Sequence, residues 1–113
     1  MSALTTVEQK VLGLFVKHLN CVCPGEVEKV ILYGSRARGD NRPDSDMDIL
    51  ILVKDKKRIN RDKIYDFVID TELEYGIDIS VNIYESDQFN QLVLLKAPFA
   101  SNVVKEGETL WSQ

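Results

Sequence analysis

The chain has 113 residues, with 14 Lys and Arg against 18 Asp and Glu for a net charge of −4, and it is 44% hydrophobic and 28% charged. That length suits one domain, residues 1–113, since about 150 residues is a usual allotment, and the acidic balance argues against a surface that grips nucleic acid through non-specific charge. The opening MSALTTVEQK has neither the basic stretch nor the apolar core of a signal peptide, and the longest aliphatic run, Ile49 to Val53, is far short of a membrane span, so a cytoplasmic protein with no membrane partner is expected.

Thr5, with Glu8 three residues later, forms a capping box. Val7, Val11, Leu14 and Phe15 then recur at helical spacing, which predicts an amphipathic helix over 6–20 that Pro24 and Gly25 end. His18, Cys21 and Cys23 near its end could seed a zinc site. No further Cys or His completes four ligands, so the thiols read as ordinary. A serine-hydrolase triad would have to use that same lone histidine, whose place at a helix end looks merely solvated.

Residues 27–33 are rich in strand formers and run into Gly34, and 48–53 form a second strand, apolar on both faces and hence central. The run Lys54 to Arg58 reads as a solvated loop. Ile64, Phe67 and Val68 place a helix over 60–75, stopped by Gly76. In 77–84, Ile77, Ile79, Val81 and Ile83 alternate with Asp78, Ser80 and Asn82, a strand with one polar face. Helices over 86–96 and 98–105 follow, and Gly107 to Trp111 returns as a short edge strand. The order predicts a small α/β (α+β) fold: a mixed sheet with helices packed mainly on one face.

The chemistry gathers around the second strand. Asp46 and Asp48 stand two residues apart at its mouth, so their side chains share a face. Carboxylates that close repel unless a cation lies between them, and a donor set of oxygens suits magnesium or manganese. Asp78, on the polar face of the next strand, supplies a third carboxylate. Upstream, Gly34 and Ser35 make a tight turn where the backbone can approach a ligand, and Arg36 and Arg38 follow as cations for phosphate oxygens. Asp44, Asp46 and Asp48 also match the opening of a calcium-binding EF-hand loop. Such a loop needs glycine and glutamate where this chain has Ile49 and Asp55, and it needs flanking helices, so that reading fails.

Gly34-Ser35, Asp46-x-Asp48 and the later Asp78 together resemble the polymerase-β-like nucleotidyltransferase superfamily. More narrowly, GSRARGDNRPDSDMDILILV is similar to the minimal nucleotidyltransferase (MNT) branch, which is little more than a catalytic core. The resemblance implies an enzyme that moves AMP from ATP to a hydroxyl and releases pyrophosphate. It implies two Mg2+ ions (Mn2+ as an alternative), which such sites keep about 4 Å apart, on Asp46, Asp48 and Asp78. It further implies Gly34, Ser35 and Arg38 on the nucleotide phosphates with Arg36 as a helper, and Asp78 beside the incoming hydroxyl. MNT proteins are commonly antitoxins of HEPN-domain toxins, so the expected partner is a HEPN toxin that receives AMP. Two alternatives stand beside it: an antitoxin acting by binding alone, and an aminoglycoside-type transferase acting on a small molecule. The core consumes nearly the whole chain and leaves no lobe to enclose a small acceptor, which favours a protein acceptor. Homodimerisation is the other way to supply the missing wall.

Overall fold

The computed structural model describes residues 4–39 and 46–113. The elements follow in the order α1 (Thr6–Val22), β1 (Val27–Tyr33), α2 (Ser35–Arg38), β2 (Met47–Val53), α3 (Arg61–Tyr75), β3 (Ile79–Glu85), α4 (Ser86–Leu94), α5 (Pro98–Glu106) and β4 (Glu108–Ser112). A 3-10 turn at Lys56–Arg58 lies in the segment expected to be a loop. The capping box is present: the Glu8 N–H donates to the Thr5 hydroxyl at 3.1 Å and the Thr5 N–H to the Glu8 carboxylate at 2.9 Å. Asn60 caps α3 by accepting from the Lys63 N–H, and Gly76 ends it in the left-handed region at φ 66°.

The four strands form one sheet in the order β3-β2-β1-β4. β1 runs antiparallel to β2 and β4, while β2 and β3 are parallel, so the sheet is mixed as expected. The end of β1 and the starts of β2, β3 and β4 therefore meet at one end of the sheet. The last segment is an edge strand against β1, as the sequence suggested.

Alternation along β2 builds two apolar layers. Met47, Ile49, Ile51 and Val53 join Phe15 and Leu19 of α1 and Ile64 of α3 in the larger core. Leu50 and Leu52 face the other way and pack with Ile31, with Phe89 of α4 and with Ala100 and Val103 of α5. Each such aliphatic side chain contributes roughly 1.5–3 kcal/mol by leaving water. The helices thus cover both faces, the two longest on one and the two shorter on the other, where a single main layer was expected. The reason is that β1 and β2 are apolar on both sides, and neither side is stable in water.

Candidate active site

Asp48 belongs to the Leu50–Leu52 side of β2 and opens toward the α4–α5 layer. Its register partners are Tyr33 on β1 and Ser80 on β3. Asp46 precedes the strand, is exposed, and shares that side by alternation. The two carboxylates act on each other. The Asp48 carboxyl is raised above its ordinary value, first by burial and then by the Asp46 charge, while Arg38 pulls it down. A half-buried carboxylate pushed up by a like neighbour is a site short of positive charge.

The turn after β1 closes on this pair. Gly34 has φ 79° and ψ −160°, a region that side chains strongly disfavour, and a Cβ placed there would strike the Asp48 carboxylate. Glycine is required on both counts. Ser35 follows and opens α2, a single turn ended by Gly39. Ser35 and Arg38, three residues apart, lie on one side of that turn, and Arg36 points away from them.

Arg38 is partly exposed and forms an ion pair with Glu106 at 3.0 Å while its charge acts on Asp48. The Arg36 guanidinium donates to Glu8 of α1 in a buried ion pair, on the side of the turn away from Ser35 and Arg38. Nothing local in the sequence marks this pair, whose members stand 28 residues apart.

Asp78 lies one residue before β3, and its carbonyl accepts from the Met47 N–H at 3.0 Å, which pins its backbone beside the mouth of β2. Extending the β2–β3 register by one residue sets Asp78 opposite Asp46, on the same side of the sheet. Its side chain is exposed. Among the described residues, no three His, Cys, Asp or Glu side chains are gathered closely enough to enclose a metal ion, so the expected convergence of all three aspartates is not present. Without a cation, a third carboxylate has no attraction toward the other two. Asp44 and the rest of the chain between Gly39 and Asp46 lie outside the described residues.

Tyr33 and Asn82 went unassigned from sequence. The Asn82 amide of β3 donates across β2 to the Tyr33 hydroxyl at 2.5 Å, forming a bar beside Asp48. The Tyr33 hydroxyl is raised above its usual 10.0, mainly by burial, with the Asp48 charge adding to it and the Asn82 hydrogen bond opposing it. The signal was available in the alternation that puts Asn82 on the side of Asp78.

Residues 20–113 match the family model described as polymerase beta, nucleotidyltransferase. The chain belongs to that nucleotidyltransferase family. A relative from Methanocaldococcus jannaschii, named as a putative protein adenylyltransferase, is 35% identical over 108 residues, covering 92% of this chain and 98% of its own length. A second from the same organism, similarly named, is 36% identical over 77 residues, 67% of this chain and 78% of the relative. Among solved structures, a protein from Sulfolobus solfataricus named as a putative nucleotidyltransferase superposes with TM-score 0.61 at 23% identity, over 93% of this chain and 80% of that one. A toxin–antitoxin complex with AMP-PNP gives TM-score 0.62 at 21% identity over 93% and 73%. A tri-AMPylated Shewanella oneidensis HEPN toxin in complex with its MNT antitoxin gives 0.57 at 20% over 93% and 72%. These likenesses establish the nucleotidyltransferase fold. No helix among the described residues is long and apolar enough to cross a membrane.

Proposed function

We propose that this nucleotidyltransferase moves AMP from ATP to a hydroxyl of a partner protein, and that the partner is a HEPN-type toxin which it silences as an antitoxin. The observation that carries the transfer chemistry is the Asp46–Asp48 pair, short of positive charge and pressed against the Gly34 turn. An oxygen-only donor pair of this kind fits a hard divalent ion, so Asp46 and Asp48 are the residues to hold magnesium, with Asp78 as a further carboxylate from the same side. When bound, magnesium supplies positive charge to the triphosphate and polarises the attacking hydroxyl.

The chain's own groups do the rest. The Gly34–Ser35 turn offers N–H groups and a hydroxyl to the β- and γ-phosphates, and Arg38, whose charge acts on Asp48, adds a cation. The acceptor oxygen attacks the α-phosphorus, the bond to the bridging oxygen breaks, and pyrophosphate departs with its negative charge. The hydroxyl proton passes to Asp78, exposed beside the mouth of β2. The relatives named as putative protein adenylyltransferases support a protein acceptor, as does the exposure of Asp46 and Asp78. The AMP-PNP and tri-AMPylated toxin complexes among the structural neighbours support the donor and the partner class.

The test is mass spectrometry of a HEPN protein co-expressed with this chain. The expected result is added mass in steps of AMP, absent when Asp46→Asn replaces the wild type. An unmodified HEPN protein that is nonetheless inhibited would assign the antitoxin role to binding alone.

A further inference from the structure

Helix α3 is apolar on two opposite sides. Ile64 is fully buried and Phe67 and Val68 pack partly against the core, with the Phe67 ring stacked on Phe15 and on His18. The far side carries Tyr65, Ile69 and Leu73 at four-residue intervals, 39%, 54% and 81% exposed. Residues so spaced form one continuous stripe. A surface helix ordinarily presents its polar face to water, and a helix apolar all round is normally covered on both sides. Among the described residues, nothing covers the second side.

Beside the stripe runs a row of carboxylates at the same interval: Asp62, Asp66, Asp70 and Glu74. Each apolar residue is followed by one of them. None takes part in an ion pair among the described residues. The last turn of α3 contains no basic residue, so Glu72 and Glu74 lie against the negative end of the helix dipole. That arrangement costs helix stability and is not explained by it.

We infer that the outer face of α3 is a docking surface for a cationic amphipathic helix of a partner protein: Tyr65, Ile69 and Leu73 take its apolar face, and the carboxylate row takes its lysines or arginines. Charge selects this occupant. A second copy laid α3 against α3 would bring two carboxylate rows together, and nucleic acid or an anionic membrane would be repelled by the same row. After Tyr75 the chain passes through Gly76 and Ile77 to Asp78, so a helix seated on α3 arrives at the end of the sheet that holds Asp46 and Asp48. The surface uses none of the site residues and needs no nucleotide, so it stands or fails separately from the transfer reaction.

The experiment titrates the full chain with a fluorescent amphipathic helical peptide of leucine and lysine, with a counterpart carrying glutamate for lysine as control. Expected are binding of the lysine peptide only, weakening as salt rises, and hydrogen-exchange protection concentrated in 61–75. The pair Ile69→Ser with Leu73→Ser, and separately Asp66→Lys with Asp70→Lys, should each weaken binding by about tenfold or more. Both sets are exposed and should fold, which circular dichroism checks, and Asp46→Asn should bind as the wild type does. No binding by the wild type, wild-type affinity retained by either variant pair, or protection at the exposed Leu94–Leu95 corner instead of α3 would overturn the assignment. So would self-association of the free chain that Leu73→Ser abolishes, since a second copy would then be the occupant.

Discussion

Asp48 is raised above its ordinary pKa chiefly by burial, then by Asp46, with Arg38 opposing. A carboxyl raised in the folded state binds its proton more tightly there than in the unfolded chain, so its ionisation works against folding. The penalty is absent below the ordinary value of 3.8, grows as pH rises through the raised value, and stays constant above it. Asp48→Asn should therefore raise the melting temperature of the metal-free chain at pH 7, and the gain should vanish near pH 3. Thermal melts at the two pH values check this; a gain equal at both would show that charge is not its source. The same substitution, or Asp46→Asn, should lower AMP transfer by at least about a hundredfold, more than the loss of an outer partner of a metal site costs. Gly34→Ala is the second test at this scale. Its backbone region costs a side chain about 1–3 kcal/mol, and the added methyl displaces the Asp48 carboxylate. The protein should still fold but lose transfer, seen as a fall in kcat rather than a loss of soluble chain.

At the scale of elements, α2 shows what local pattern reveals and what it hides. The turn after β1 was legible because Gly34 and Ser35 interrupt a run of strand formers, and β1 lies at Val27–Tyr33 as read. Boundaries set by period and cap were close: α3 spans Arg61–Tyr75 against an expected 60–75, and β3 Ile79–Glu85 against 77–84. The single turn of α2 was not legible, because four residues contain no helical period to detect. Nor was the partner of Arg36, since that ion pair depends on the N-terminus of α1 arriving beside α2. Glu8 does two jobs there, closing the cap of α1 with one oxygen and receiving Arg36 with the other. Arg36→Leu leaves Glu8 buried without its cation and should cost about 3 kcal/mol or more of stability by denaturant titration. The affinity of the folded variant for ATP should stay within about twofold of wild type. A large loss of affinity at unchanged stability would return Arg36 to the phosphates.

Across the whole molecule, the candidate site occupies a seam at one end of the sheet, on its α4–α5 side. The end of β1 and the starts of β2 and β3 converge there, and each strand contributes to both the α1–α3 core and the α4–α5 core. The cores themselves were readable from alternation in β2, whereas the two-sided layering required knowing that α4 and α5 fold back over Leu50 and Leu52. Asp78 was readable as a polar strand residue, and its side chain remains apart because nothing in the bare chain attracts it to Asp46. A ligand that supplies that attraction binds the folded state alone, since the unfolded chain holds no such seam. Linkage then requires the whole fold to gain stability, about 2.7 kcal/mol when free ligand exceeds its Kd a hundredfold. For a domain near 100 residues that corresponds to a rise of roughly 10 °C in Tm. Magnesium with the non-hydrolysable ATP analogue AMP-PNP should therefore shift the melt, and either component alone should shift it far less. The double variant Asp46→Asn with Asp48→Asn should lose the shift while starting from a higher ligand-free Tm. A full shift retained by that variant would place the nucleotide elsewhere on the molecule, and the seam would then be only the end of the sheet.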